Sequence, residues 1–481
     1  MNKLWTTGHE TGLSEMMAGR EGRARMQKQI LDFCPESNLV CFTLNIAGPV
    51  KTNAITEEAF YAGIEAIEDA FAKASISAES KIDFHDYGNE AYYVVGEDAE
   101  SAEGLKRLMT LVEKEHPLGR LFDIDVIDAN GNKVSREDIG YLPRRCLLCE
   151  KPAALCASTR SHSIEELSKQ TASMIREYLQ DNLDDKIVSR MAYNAMIYEV
   201  ATTPKPGLVD LANSGSHKDM SVELFAKSAE AIRDYFGKCF LKGNYYQGLE
   251  DFDALFKSLR KLGIEAEKKM QEATSGINTH KGLIFSLGIL CGAAGYWYYK
   301  KSNESLKIER QCEKTFIEEV CDLAGKIARD VSGEMNAHGQ IAGARVEAAS
   351  GFSSVRKIAI PAYKYAISNF DINTAGAYTL LKLIAYIDDT NMVHRGGKEK
   401  AYEAKESANI LANEFENIIS NSDNEIEWGN TQKRTQIISK WLGKVKNLDE
   451  KFIHNNLSPG GSADLLAITY FMVMLEDIFT N

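Results

Sequence analysis

Thr202-Thr203-Pro204-Lys205-Pro206-Gly207-Leu208-Val209-Asp210, running on to His217-Lys218-Asp219-Met220, decides how the larger part of this chain is read. Residues 190–200 before it carry the apolar spacing of an amphipathic helix. Two prolines then stop that helix and stiffen the chain. Lys205 sits between them and Gly207 follows. Asp210, His217, Lys218 and Asp219 come soon after. A stiff turn with this many charges suits a phosphorylated ligand and its metal better than a core. Taken alone, it also reads as a helix-ending turn with a solvated face.

Working outward, helix-period patterns dominate from Ile164 to the end, and polar, glycine-rich segments separate them. No strand pattern follows residue 170. The longest apolar run, 283–299, is broken by glycines and reads as a buried helix rather than a membrane span. Toward the N-terminus the texture differs. Strands are expected at 38–46, 90–95 and 121–127, and helices at 20–33, 55–74 and 99–115. The expected architecture is two domains, 1–175 and 176–481. The first is α/β or α+β and the second all-α.

The 481 residues are 44% hydrophobic and 26% charged, which supplies two sizeable cores. A net charge of −13 argues against non-specific nucleic-acid binding. Residues 1–10 have no basic region followed by an apolar run, and the 9 cysteines are expected as reduced thiols. The expected location is the cytoplasm. Neither G-x-x-x-x-G-K-[ST] nor G-x-G-x-x-G occurs, so any phosphate must be held another way.

In the first domain, Asp123-Ile124-Asp125 lies on an expected strand, so both carboxylates point to one face. They repel unless a cation or proton lies between them, and Mg²⁺ with phosphate as co-ligand suits them. Two solvated aspartates at a strand edge are the plainer reading. Lys51 and Arg120 are candidate phosphate contacts. Cys146, Cys149, Cys156 and His162 have spacing compatible with zinc, or with reduced thiols packing a small lobe.

Asn45-Ile46-Ala47-Gly48-Pro49-Val50-Lys51, His116-Pro117-Leu118-Gly119-Arg120-Leu121-Phe122-Asp123-Ile124-Asp125-Val126 and Arg145-Cys146-Leu147-Leu148-Cys149 resemble the holo-acyl-carrier-protein synthase of citrate lyase. The resemblance implies a nucleotidyltransferase-like domain with Mg²⁺ on Asp123 and Asp125. It implies transfer of a phosphoribosyl-dephospho-CoA arm to a serine of the apo acyl carrier protein, with loss of pyrophosphate.

Further polar segments follow in the second domain. They are Asn278-Thr279-His280-Lys281-Gly282, Glu334 with His338, Gly343-Ala344-Arg345-Val346-Glu347, Asp388-Asp389-Thr390-Asn391, Arg395-Gly396-Gly397 and Ser458-Pro459-Gly460-Gly461-Ser462-Ala463-Asp464. Each adjoins an apolar helix, and together they are expected to converge at one end of a helical domain. Lys205, Lys218, Lys281, Arg345, Arg395, His217, His280, Ser458 and Gly460 then bind the nucleotide. Asp210, Asp219, Asp388, Asp389 and Asp464 are candidate Mg²⁺ ligands.

These segments resemble the triphosphoribosyl-dephospho-CoA synthase family over nearly all of 180–481. Gly215-Ser216-His217 departs from the alanine expected before the histidine. The family displaces adenine from ATP with the 2′-hydroxyl of 3′-dephospho-CoA. Such a glycosyl transfer needs a stabilising carboxylate and a base. The sequence leaves those roles open among Asp210, Asp219, Asp388 and Glu347. The same arm serves malonate decarboxylase, and a non-catalytic carrier-protein scaffold is the rival of another class.

Overall fold

Ser37–Leu44 (β1), overlapping the stretch expected as the first strand, is the middle of a five-stranded sheet. A computed structural model describes residues 8–248, 251–302, 314–329, 342–420 and 431–479 of the chain. Glu90–Gly96 (β3) and Phe122–Ile127 (β4) flank β1. Glu79–Asp83 (β2) and Lys133–Val134 (β5) form the edges. Every pairing is antiparallel, so the first unit is α+β rather than α/β. Neither edge strand is evident in the sequence. β2 is mostly charged and β5 has two residues.

Alternation along the strands builds two faces. Phe42 and Phe122 turn to Ala54–Ala74 (α2), where Phe42 stacks on Phe60 at 5.1 Å. Ala102–Glu115 (α3) packs on β4 on the same side. Leu39, Cys41, Tyr92 and Ile127 form the opposite face, under Met26, Ile30 and Leu31 of Leu13–Phe33 (α1). Ala153–Thr159 (α4) and Ile164–Asp181 (α5) end the unit. Ser163 and Glu166 form a capping box that starts α5.

The two compact units part between Asn182 and Leu183. The division expected at 175/176 falls inside α5. That helix stays with the first unit because Ser168 Oγ donates to Ala47 O and Tyr178 packs on His116. The second unit begins at Asp185–Ala201 (α6), whose N-cap is Asp184. Val222–Asn244 (α7), Asp253–Ala273 (α8), Lys281–Ser302 (α9), Phe316–Ile327 (α10) and Ala342–Ala349 (α11) follow. Ile360–Ile367 (α12), Ile372–Tyr386 (α13), Thr390–Gly396 (α14), Lys398–Ser420 (α15), Thr431–His454 (α16) and Gly460–Phe479 (α17) complete it. No strand follows β5 among the described residues.

α9 is long and apolar enough to cross a membrane, yet most of it is buried in this unit. Gly243 and Gly295 let it approach α7 backbone to backbone, with no room for a Cβ at either. α17 packs against α6, α9 and α13 through Leu466, Ile468 and Phe471. The C-terminal end of α6, the N-terminal ends of α9 and α17, and the turn after α13 all border one cavity. Glu334, His338 and the polar loop at 421–430 lie outside the described residues.

Candidate functional site

In the second unit, the opening stretch folds back on itself under its own side chains. Asp210 is buried and accepts from Lys205 N at 2.9 Å, Ala212 N at 2.8 Å and Asn213 N at 3.0 Å. Gly207 takes φ +73° beside Leu457 O, where a Cβ has no space, and its N–H donates to Asp449. The Thr203–Pro204 bond is cis. Asp210 thus braces the loop through three backbone N–H groups.

The loop walls a cavity of about 1460 Å³. That exceeds the ~300–1,000 Å³ of an ordinary small-ligand site and suits two nucleotide-sized substrates. Segments 278–282, 343–347, 386–391 and 456–464 line it together. The polar segments spread over 260 residues of sequence therefore meet in one place.

Its cations differ in availability. Lys205 is 1% exposed and its ammonium is bound by Glu199, through the carboxylate and the carbonyl. Burial pushes the Glu199 carboxyl up and Lys205 opposes that shift. Lys205 is therefore an ion-paired floor of the cavity and not a triphosphate contact. Lys281 pairs with Glu267 at 3.2 Å on the wall. Lys218 is exposed and has no ion pair among the described residues. Arg345 buries a guanidinium Nε with no hydrogen-bond partner among them. Arg395 donates to Ser216 O and to Asn456 Oδ1 at 2.9 Å, and lies against the His217 ring. His217 Nε2 sits 2.8 Å from Ser458 Oγ. Burial, then Arg395, lowers the His217 pKa, so this imidazole is neutral at pH 7.

The carboxylates sort the same way. Asp389 caps α14 through Asn391 N and α17 through Ser462 N and Oγ. It braces two helix ends at the cavity wall. Glu347 accepts from Ser354 N and Oγ. Asp388 is almost fully exposed and pairs with Lys405 at 2.6 Å. Asp219 is exposed beside Lys218. Asp464 is different. It lies in the first turn of α17, against Gly282 at the start of α9, where no Cβ fits. No hydrogen bond to it occurs among the described residues. Burial, with Glu199 and Asp389 nearby, raises its pKa well above the usual carboxylate range.

His280 is buried at the same end. Thr279 Oγ1 donates to Ser228 Oγ at 2.6 Å, which lies 2.7 Å from His280 Nδ1. Burial, with Lys205 nearby, holds the ring down to about 3. Asn278 Oδ1 accepts from Lys281 N, capping α9. Gly460 opens α17 on the cavity wall.

In the first unit, Asp123 and Asp125 share a face of β4, opposite Thr43 and Cys41 of β1. Asp125 binds Lys133 at 2.7 Å, and Arg144 stands 3.9 Å from Asp123. Arg144 is held by buried Glu113 at 2.7 Å. Arg23 of α1 bonds Glu90 at 2.8 Å on the same sheet face. Arg23, Arg144, Lys133 and Glu113 carried no sequence signal. The pattern of β4 marks the acids but not cations brought from α1, β5 and a loop. Lys51 Nζ donates to Ile46 O at 2.6 Å, and Arg120 donates to Cys146 O. Both are tied to backbone carbonyls and brace loops rather than reach outward. Cys146, Cys149, Cys156 and His162 bring four ligand atoms within 4.8 Å of one another.

Comparison with known proteins agrees with this division. Residues 11–178 match the sequence model of apo-citrate lyase phosphoribosyl-dephospho-CoA transferase. Residues 185–481 match that of ATP:dephospho-CoA triphosphoribosyl transferase. The chain is 32% identical to Protein CitXG of Haemophilus influenzae, covering 97% of each chain. It is 32% identical to Protein CitXG of Leuconostoc mesenteroides subsp. cremoris, covering 97% of this chain and 98% of that one. Against the 2-(5''-triphosphoribosyl)-3'-dephosphocoenzyme-A synthase of Haemophilus ducreyi it is 31% identical, covering 68% of this chain and 99% of the relative. The protein is a transferase of two units. It belongs to the CitXG family, in which the two transferases are joined in one chain.

Proposed function

We propose that the second unit makes the prosthetic-group precursor of citrate lyase and that the first unit attaches it. ATP and 3′-dephospho-CoA give 2′-(5″-triphosphoribosyl)-3′-dephospho-CoA and adenine. The product then passes to a serine of the apo acyl carrier protein of citrate lyase, releasing diphosphate. The observation that carries this reading is the cavity of about 1460 Å³, with Lys218, Arg345, Arg395 and Asp464 on one wall system. Dependence on ATP suits the cytoplasm.

In the second unit, the 2′-hydroxyl bonds to the ribose carbon that adenine leaves, and the triphosphate stays on the ribose. Lys218, Arg345 and Arg395 hold the triphosphate by charge-assisted bonds. Asp464, at the start of α17 on the cavity wall, is placed to take the hydroxyl proton, and the departing adenine takes up a proton from solvent at its ring nitrogen. The neutral His280 and the Lys205–Glu199 pair fix the floor beneath it.

In the first unit, we read the sheet and acid pair as a nucleotidyltransferase-like site. Asp123 and Asp125 present oxygen donors that are not tied to backbone N–H groups, which fits a hard cation such as Mg²⁺. When bound, Mg²⁺ supplies charge neutralisation of the donor phosphates. The carrier serine oxygen bonds to the phosphorus nearest the ribose as diphosphate leaves. Arg23, Arg144 and Lys133 are placed around that face to receive the diphosphate.

The test is adenine release from ATP plus 3′-dephospho-CoA, with and without the apo carrier protein. Adenine without the carrier, and a carrier gaining the arm when it is added, support the assignment. No adenine under any condition refutes it.

A further inference from the structure

We propose that Cys146, Cys149, Cys156 and His162 form a structural zinc site that holds Arg144 beside the acid pair. Four protein ligands at about 2.0–2.3 Å from one ion place their donor atoms roughly 3.5–3.8 Å apart in a tetrahedron. Here Cys149 Sγ lies 3.5 Å from Cys156 Sγ and 3.3 Å from His162 Nε2. All four donor atoms lie within 4.8 Å of one another. The ligands come from three different local structures. A short antiparallel turn, closed by Cys146 N to Lys151 O at 2.7 Å and the Arg145–Pro152 bridge, carries Cys146 and Cys149. Cys156 comes from α4, and His162 from the link into α5. Reduced thiols packed for bulk alone have no need of an imidazole nitrogen aimed at a sulfur. A disulfide needs sulfurs ~2.05 Å apart. Three thiolates and one imidazole leave no open position, so the ion is structural and not catalytic.

The consequence lies next door. Cys146 O receives the Arg120 guanidinium. Arg144, two residues before Cys146, receives Ala153 N on its carbonyl at 2.8 Å while its side chain faces Asp123 and Glu113. The ion fixes the turn, and the turn fixes Arg144. This positioning claim rests on the attachment activity assigned to the first unit, whereas metal content does not.

The experiment uses the full chain expressed in zinc-supplemented medium. We expect about one zinc per chain after exhaustive dialysis, and cobalt replacement giving the intense visible bands of a tetrahedral thiolate site. Cys149→Ser should lose the metal and lower attachment kcat/KM by roughly ten- to a hundredfold. Its adenine release should be unchanged. His162→Cys should keep both metal and attachment, because four cysteines also bind zinc. A wild-type chain without zinc after zinc-supplemented expression, or one with a Cys149–Cys156 disulfide, overturns the site. Zinc present but attachment unchanged in metal-free Cys149→Ser overturns the positioning role alone. If wild type shows no attachment at all, the functional reading fails and the metal analysis still stands.

Discussion

Lys205 gives the sharpest test of how the cavity is built. The sequence reading puts its ammonium on a triphosphate, whereas the fold buries it against Glu199. Replacing it with Met keeps the stem and removes the charge. Glu199, only 8% exposed at its side chain, is then left without its partner. Removing one member of a buried pair costs about 3–5 kcal/mol. The second unit spans roughly 300 residues, so its unfolding entropy is about 0.6 kcal/mol/K and the expected loss is roughly 5–8 °C in Tm. Calorimetry of Lys205→Met should show this in the transition of the second unit. Glu199→Gln with Lys205→Met should recover most of it, since no charge is then stranded. Adenine release below the transition should fall only as the floor loosens. A Tm within about 1 °C of wild type, with a raised ATP requirement, would refute the ion-pair account and restore the phosphate contact.

Arg395→Ala should raise the KM for ATP about ten- to a hundredfold, with attachment of ready-made donor normal, as read by steady-state kinetics of both steps. Asp464→Asn should lower kcat for adenine release by roughly 10²- to 10⁴-fold with little change in ATP binding by calorimetry. His280 is held at about 3, against an ordinary 6.5, so the unfolded chain binds the proton and the folded one does not. Its contribution is complete above pH 6.5 and is lost as pH falls toward 3. From pH 7 to 5 the second unit should lose about 2 kcal/mol by this route, and His280→Gln should flatten that slope in denaturant titrations.

Local regularities made much of this molecule legible. β1, β3, β4 and α2 follow from β-branched content and apolar spacing, and the helical second unit from its 3.6-residue period. Two mixed edge elements escaped. β2 lacks apolar alternation, and β5 is defined only by pairing with β4. The site was legible as a set of segments but not as a set of roles. Asp210, Asp389 and Glu347 look in sequence like any other acidic residue of a ligand site. Only the fold shows that backbone N–H groups already occupy them. Lys205 differs from Lys218 in burial and in its Glu199 partner. Asp464 gains its character from burial and from Glu199, 265 residues away, and Arg144 from Glu113 on a different element.

Uncoupling the two steps in one chain tests the central claim most directly. Wild type, Asp123→Asn and Asp464→Asn should each be given ATP, 3′-dephospho-CoA and the apo carrier protein. Adenine is followed by chromatography and the carrier by intact mass. Asp123→Asn should release adenine at the wild-type rate and leave the carrier unmodified. Asp464→Asn should release almost none, yet attach ready-made donor normally. Equal loss of both activities in either variant would contradict two separate sites acting in sequence.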